Sequence, residues 1–63
     1  PEYSGNQRDV YFEHTVIGAY HKVSAIDSVT GIEVSITGAA GASQKDLEDL
    51  ALRKLRRRIS REK

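Results

Sequence analysis

Sixty-three residues with ten basic side chains, nine acidic ones, two histidines and no cysteine make a single domain at most. This composition excludes a disulfide framework and a thiolate zinc site, and no apolar run approaches the ~20 residues of a membrane helix. A core of this size rarely supplies more than about 3–5 kcal/mol, so association with a second chain, a homodimer first, is the expected remedy.

The net charge of +1 is unevenly spread. Residues 1–52 carry three basic side chains against eight acidic ones, and residues 53–63 carry seven against one, so the chain is acidic in front and basic at its tail. No basic–apolar–small signal sequence opens it, and the cytoplasm is the expected compartment.

Residues 1–8 are polar, include Gly5 and Asn6 and show no periodicity, which predicts a disordered N-terminal segment ahead of one domain over 9–63. From Asp9 to Ile17 the chain alternates as a strand does. Val10, Phe12, His14 and Val16 take one face, and Tyr11, Glu13, Thr15 and Ile17 take the other. Gly18-Ala19 suits a two-residue type II′ hairpin turn, which wants glycine first. That turn sets Ile17 opposite Tyr20, Val16 opposite His21, His14 opposite Val23 and Phe12 opposite Ala25.

The second hairpin gives an independent reading. Asp27-Ser28-Val29-Thr30-Gly31 has the residues of a tight loop closed by an aspartate, with Gly31 supplying a positive φ. Asp27 opposite Ile32 then pairs Ala25 with Val34 and Val23 with Ile36. Both turns assign the same residues of the middle strand to one apolar face, which collects Val10, Phe12, Val16, Val23, Ala25, Val34 and Ile36. A slip of one residue in either turn would destroy that agreement. The opposite face is mostly polar, broken by the apolar pairs Tyr11 with Ile26 and Ile17 with Tyr20. These four are candidate dimer contacts.

Residues 38–42, all glycine and alanine, read as a flexible connector. Ser43 with Asp46 resembles a capping box, and the helix is expected from Gln44 to about Arg61. Acidic side chains crowd its first turns and arginines its last, as the helix dipole favours. At 100° per residue Leu47, Leu50, Ala51, Leu55 and Ile59 form the stripe that covers the sheet, with Leu52 beyond its edge. This arc is broader than a small sheet needs. Leu52 therefore joins the candidate dimer contacts, and a glycine-rich connector would permit exchange of helices between protomers. The expected fold class is α+β, a three-stranded antiparallel meander followed by one C-terminal amphipathic helix, as a homodimer open to exchange of helices between protomers.

Catalytic machinery is not legible. Residues 38–41 lack the Lys-Ser/Thr of a phosphate-binding loop and the order of a dinucleotide fingerprint, and the serines fall in strand, turn and cap positions. No catalytic, cofactor or metal residue is assigned, and no enzyme is expected. His14 and His21 lie diagonally on the core-facing side, within reach of each other, with no carboxylate evident on that face. Packing is the simplest role for them, with a two-histidine metal site or a pH-sensitive element as the sharper alternative. Arg53, Arg56, Arg57 and Arg58 are candidate phosphate contacts for an accessory nucleic-acid or ribosome binder. They spread around the helix rather than forming a stripe, and no aromatic side chain on the helix offers a base a stacking surface. The expected function is a small non-enzymatic protein-interaction module, with itself or another protein as partner.

The pattern Tyr20-x-Lys22-Val23-Ser24-Ala25-Ile26-Asp27-x-x-Thr30-Gly31-x-Glu33-Val34-Ser35-Ile36-x-Gly38, followed by Ala42-Ser43-Gln44-x-x-Leu47-x-x-Leu50-Ala51-Leu52-Arg53-Lys54-Leu55, resembles a family of short uncharacterised bacterial proteins, a domain of unknown function. With Val10–Glu13 the likeness covers most of the chain, and 22–31 is its most specific stretch. The resemblance implies a sheet-plus-helix fold and no assigned activity. Family members often carry proline where this chain has Ala39, which implies a looser connector here.

Overall fold

The computed structural model describes residues 9–61, and the N-terminal segment assigned to 1–8 lies outside the described residues. Three strands, β1 (Val10–Ile17), β2 (Tyr20–Asp27) and β3 (Glu33–Ala39), precede one helix, α1 (Gln44–Arg61). The strands form an antiparallel sheet in the order β1-β2-β3, which leaves β1 and β3 as its two edges.

Both registers follow the turn chemistry. Ile17 faces Tyr20, His14 faces Val23 and Phe12 faces Ala25, while Val23 faces Ile36 and Ala25 faces Val34. Gly18 has φ 57° and no non-glycine residue among those described has positive φ, so Ala19 is ordinary and the turn is the II′ form. In the second hairpin Asp27 N–H donates to the Ile32 carbonyl at 2.9 Å and Gly31 N–H to the Asp27 carbonyl at 2.8 Å. The Asp27 carboxylate accepts from Thr30 N–H and from the Thr30 hydroxyl, each at 2.8 Å. Gly31, at φ 77°, completes the loop. Asp27 is fully buried at the end of the apolar face, opposite Val10, so the loop is anchored by a polar group inside the domain.

α1 begins where Ser43 Oγ accepts Asp46 N–H at 3.2 Å and the Ser43 carbonyl accepts Leu47 N–H at 3.0 Å. Farther along, Asp49 accepts from Lys45 Nζ at 3.0 Å one turn away, and this hydrogen bond holds the Lys45 ammonium above its ordinary range. Val23, Ala25, Val34, Leu47, Ala51 and Leu55 are the buried core. Two of the six are alanines, which let the helix backbone settle close to the sheet.

The connector is not a loose hinge. β3 continues through Gly38 and Ala39, Ala40 N–H donates to the Ala19 carbonyl at 2.9 Å, and Ala42 N–H donates to Ala39 at 3.0 Å. A Cβ on Gly38 would lie 2.7 Å from Leu47 Cδ2. Gly38 is therefore the place where the helix approaches the strand, rather than a point of flexibility. Leu47 over Gly38 and Lys54 beside Ser35 show that α1 runs back antiparallel to β3. Seven helical residues rise about 10.5 Å while three strand residues cover about 10 Å, so the two contacts stay in step.

α1 lies over β2 and β3 rather than over β1. That offset corrects two assignments. Leu50, placed in the covering stripe, is 46% exposed, and Val16, placed on the covered face, is 62% exposed. Leu50 and Leu52 stand on opposite flanks of the Leu47–Ala51–Leu55 line. Leu50 overhangs the sheet beyond β3, whereas Leu52 projects to the β1 side and is half-buried. Val16 keeps the predicted face, but no helix lies above it.

Candidate functional site

The most built-up cluster of chemical groups joins β1, β2 and α1. His14 Nδ1 lies 2.9 Å from His21 Nε2, and His14 Nε2 lies 2.6 Å from Glu48 Oε2. The alternation of β1 and β2 places the two rings on one face, and a diagonal pairing brings them together edge to face, with centroids 5.0 Å apart. Glu48 is the carboxylate that the sheet alone does not contain. It stands one residue past Leu47, so a helix seated on β2 and β3 aims it at β1.

The protonation of this chain is constrained by its geometry. The Glu48 carboxylate only accepts, so His14 Nε2 carries the hydrogen between them. A neutral His14 then offers a lone pair at Nδ1 and takes a hydrogen bond from His21 Nε2–H. A charged His14 reverses that bond and donates to a bare His21 Nε2. One of the two facing nitrogens is bare whenever this 2.9 Å hydrogen bond is made, because two N–H groups cannot point at each other. His21 is buried, whereas His14 and Glu48 reach solvent. Among the described residues the hydrogen bonds of these rings run to each other and to Glu48.

Nor do these three groups converge on one point. Glu48 binds the far nitrogen of His14, away from His21, and among the described residues no group of three or more His, Cys, Asp or Glu has the arrangement to hold a metal. As it stands, the Glu48–His14–His21 chain ties the helix to the sheet across 34 residues of sequence.

The candidate contact residues are divided among β1, β2 and α1. Ile17 and Tyr20 are each 62% exposed and Tyr11 is 49% exposed, all on the face of the sheet opposite the helix. Ile26 is half-buried beside Tyr11, and Leu52 is half-buried on the helix flank. The five are not one patch. Tyr11 and Ile26 lie at one end of the outer face, Ile17 and Tyr20 at the other, and Leu52 on the opposite side of the sheet. Between the two apolar ends stand Glu13 and Lys22, with the Ser24 and Ser35 hydroxyls bonded to each other at 2.8 Å. Val16, exposed on the inner face of β1, was absent from the candidate set. Its signal is visible only once the offset of the helix is known.

Arg53, Arg56, Arg57 and Arg58 are all exposed, and their positions divide them around the helix. Their neighbour Lys54 is committed elsewhere. Its Nζ donates to the Ser35 carbonyl at 2.8 Å, across the open side of β3.

Residues 7–62 match the family described as Domain of unknown function (DUF6898). The chain belongs to that family. No curated protein matches the chain, and no solved structure does. Membership extends from the start of the described strands through the helix, so the whole sheet-plus-helix unit is the family's domain. Among the described residues no helix is long and apolar enough to cross a membrane.

Proposed function

We propose that this domain is a small non-enzymatic protein-interaction module that works as a homodimer. The observation that carries this reading is the set of exposed apolar side chains on β1 and at the start of β2, Val16 on the inner face and Tyr11, Ile17 and Tyr20 at the two ends of the outer one, all about half or more exposed. The stabilising resources of the chain point the same way. Among the described residues its buried apolar core is six side chains, two of them alanine, and the chain has no cysteine to supplement it with a disulfide. Burial of large side chains at an interface would add what the monomer lacks.

Static light scattering on the natural protein from micromolar to millimolar concentration tests the reading. A mass near 14 kDa, twice the 7.0 kDa of one chain, is the expected result. A mass of one chain throughout that range would end it. The second reading, an accessory nucleic-acid or ribosome binder, is favoured by the exposure of Arg53, Arg56, Arg57 and Arg58. It requires steeply salt-dependent retention on RNA or DNA, with a slope that flattens when Arg56, Arg57 and Arg58 are replaced.

A further inference from the structure

The two edges of the sheet are finished differently, and we infer from this that two copies join through β1, edge to edge, into one continuous six-stranded antiparallel sheet. The inference rests on the homodimer reading above and specifies its geometry.

Backbone parity defines the free edge. Asp9 accepts Ser28 N–H at 3.0 Å, so odd positions of the first strand turn their hydrogen-bonding groups toward β2. Even positions therefore turn theirs away. Phe12, His14 and Val16 present N–H and C=O groups along the outer side of β1, where no strand pairs among the described residues. A long edge without a guard is a template for another strand. β3 has such a guard, because Lys54 crosses its rim to cap the Ser35 carbonyl. β1 has no proline, and the described residues show no bulge in its pairing with β2.

Charge and packing select the register. With a two-fold axis perpendicular to the sheet, the helices of both copies lie on the same side, and even residues of one β1 face even residues of the other. Pairing Glu13 with its own copy would set like charges opposite each other, which is destabilising. Moving the axis to His14 removes that clash, sets Glu13 opposite Thr15 of the second copy, and brings His14 opposite its own copy, each ring held by its own His21 and Glu48. Phe12 then faces the second copy's Val16 on the inner face, and Tyr11 faces its Ile17 on the outer face. These are the aromatic and β-branched combinations that stabilise cross-strand neighbours. A shift by one residue would oppose inner to outer faces and present backbone groups already spent on β2.

This arrangement also accounts for the position of the helix. Because α1 sits over β2 and β3, the inner face of β1 stays open, with Val16 exposed and Leu52 and Ile59 half-buried along the adjoining flank. In the joined sheet the two β1 strands floor a trough between two helices, and Val16 acquires Phe12 of the second copy as its neighbour. A dimer stacked through the outer face would leave Val16 and the β1 edge as they are.

Light scattering combined with amide hydrogen exchange tests the inference on the intact chain. The expected result is a dimer in which the amides of Phe12, His14 and Val16 exchange at least about tenfold more slowly than in dilute monomer. A mixture of Glu13→Cys and Thr15→Cys chains should then link by disulfide, whereas Glu13→Cys alone, whose copies lie diagonally at about 7–8 Å, should not. A dimer whose even-numbered β1 amides exchange at the same rate at every concentration overturns the edge pairing and leaves the homodimer standing. Linking of Glu13→Cys alone overturns the register. A monomer at all concentrations overturns both.

Discussion

β1 and β3 are both edge strands of one sheet, eight and seven residues long and each paired only with β2 among the described residues, yet they are finished in opposite ways. β3 lies beneath α1, receives Leu47 against Gly38, and has its rim capped by Lys54. β1 is tied to the helix by the bond of Glu48 to His14, and beyond it Val16 and Ile17 stand in solvent. The difference teaches that a lone helix cannot roof three strands. At a diameter of about 10–12 Å it spans two strands spaced about 4.8 Å apart, and the third is left for something else.

The sharpest way to break the comparison is to empty the covered side. Leu55 is fully buried between α1 and the sheet, and Leu55→Ala should cost about 2–5 kcal/mol. That is comparable to the whole stability expected of a domain this size, about 3–5 kcal/mol, so the variant should be substantially unfolded in a circular-dichroism melt. Val16→Ala, on the uncovered strand, should leave the monomer within about 0.5 kcal/mol of the natural protein. Equal losses at both positions would show that β1 is as well covered as β3.

Two intermediate effects probe how each side is fastened. His14→Ala removes a hydrogen-bond partner from buried His21 and should cost about 1–3 kcal/mol in urea unfolding. Glu48→Gln keeps an acceptor for His14 and should cost less, with part of the loss screened because Glu48 reaches solvent. On the other side, Gly38→Ala should cost about 1–3 kcal/mol by forcing Leu47 aside. Pairing it with Leu47→Val in a double-mutant cycle should recover part of that, since the two substitutions act on one contact. Additive losses would place the strain elsewhere.

Smaller effects refine the picture. Ser43→Ala, which removes the cap of α1, should cost about 1 kcal/mol by thermal melting. Lys54→Ala should change stability little, because its bond to the Ser35 carbonyl is exposed, but it uncovers the rim of β3. The expected readout is association beyond the dimer in light scattering. An unchanged mass would mean that the lysine does not guard that edge.

Much of this fold is written locally. Gly18 before Ala19 selects a II′ turn, and Asp27 with Thr30 and Gly31 closes the second loop, so the two registers follow from residues within a few positions of each turn. Ser43 likewise fixes the start of α1 through the amide of Asp46, three residues on. The candidate surface was legible in part. Tyr11, Ile17 and Tyr20 stand out as apolar breaks in a polar alternation, and they are exposed as that alternation requires.

What the sequence alone determined is therefore the sheet, its register, its apolar face and the span of the helix, because period-2 alternation, turn glycines and capping groups act within one element or one hairpin. The tertiary structure decided where that helix lies. Its apolar arc, from Leu50 around to Leu52, is wide enough to suit either flank, and only the contacts of Leu47 with Gly38 and Lys54 with Ser35 draw it over β3. From that lateral choice follow the exposure of Val16 and Leu50 and the meeting of Glu48 with His14, which lie 34 residues apart and share no local signal. The physical reason is that periodicity fixes which way a side chain points along its own element, whereas its neighbour across the core is fixed only when two elements dock.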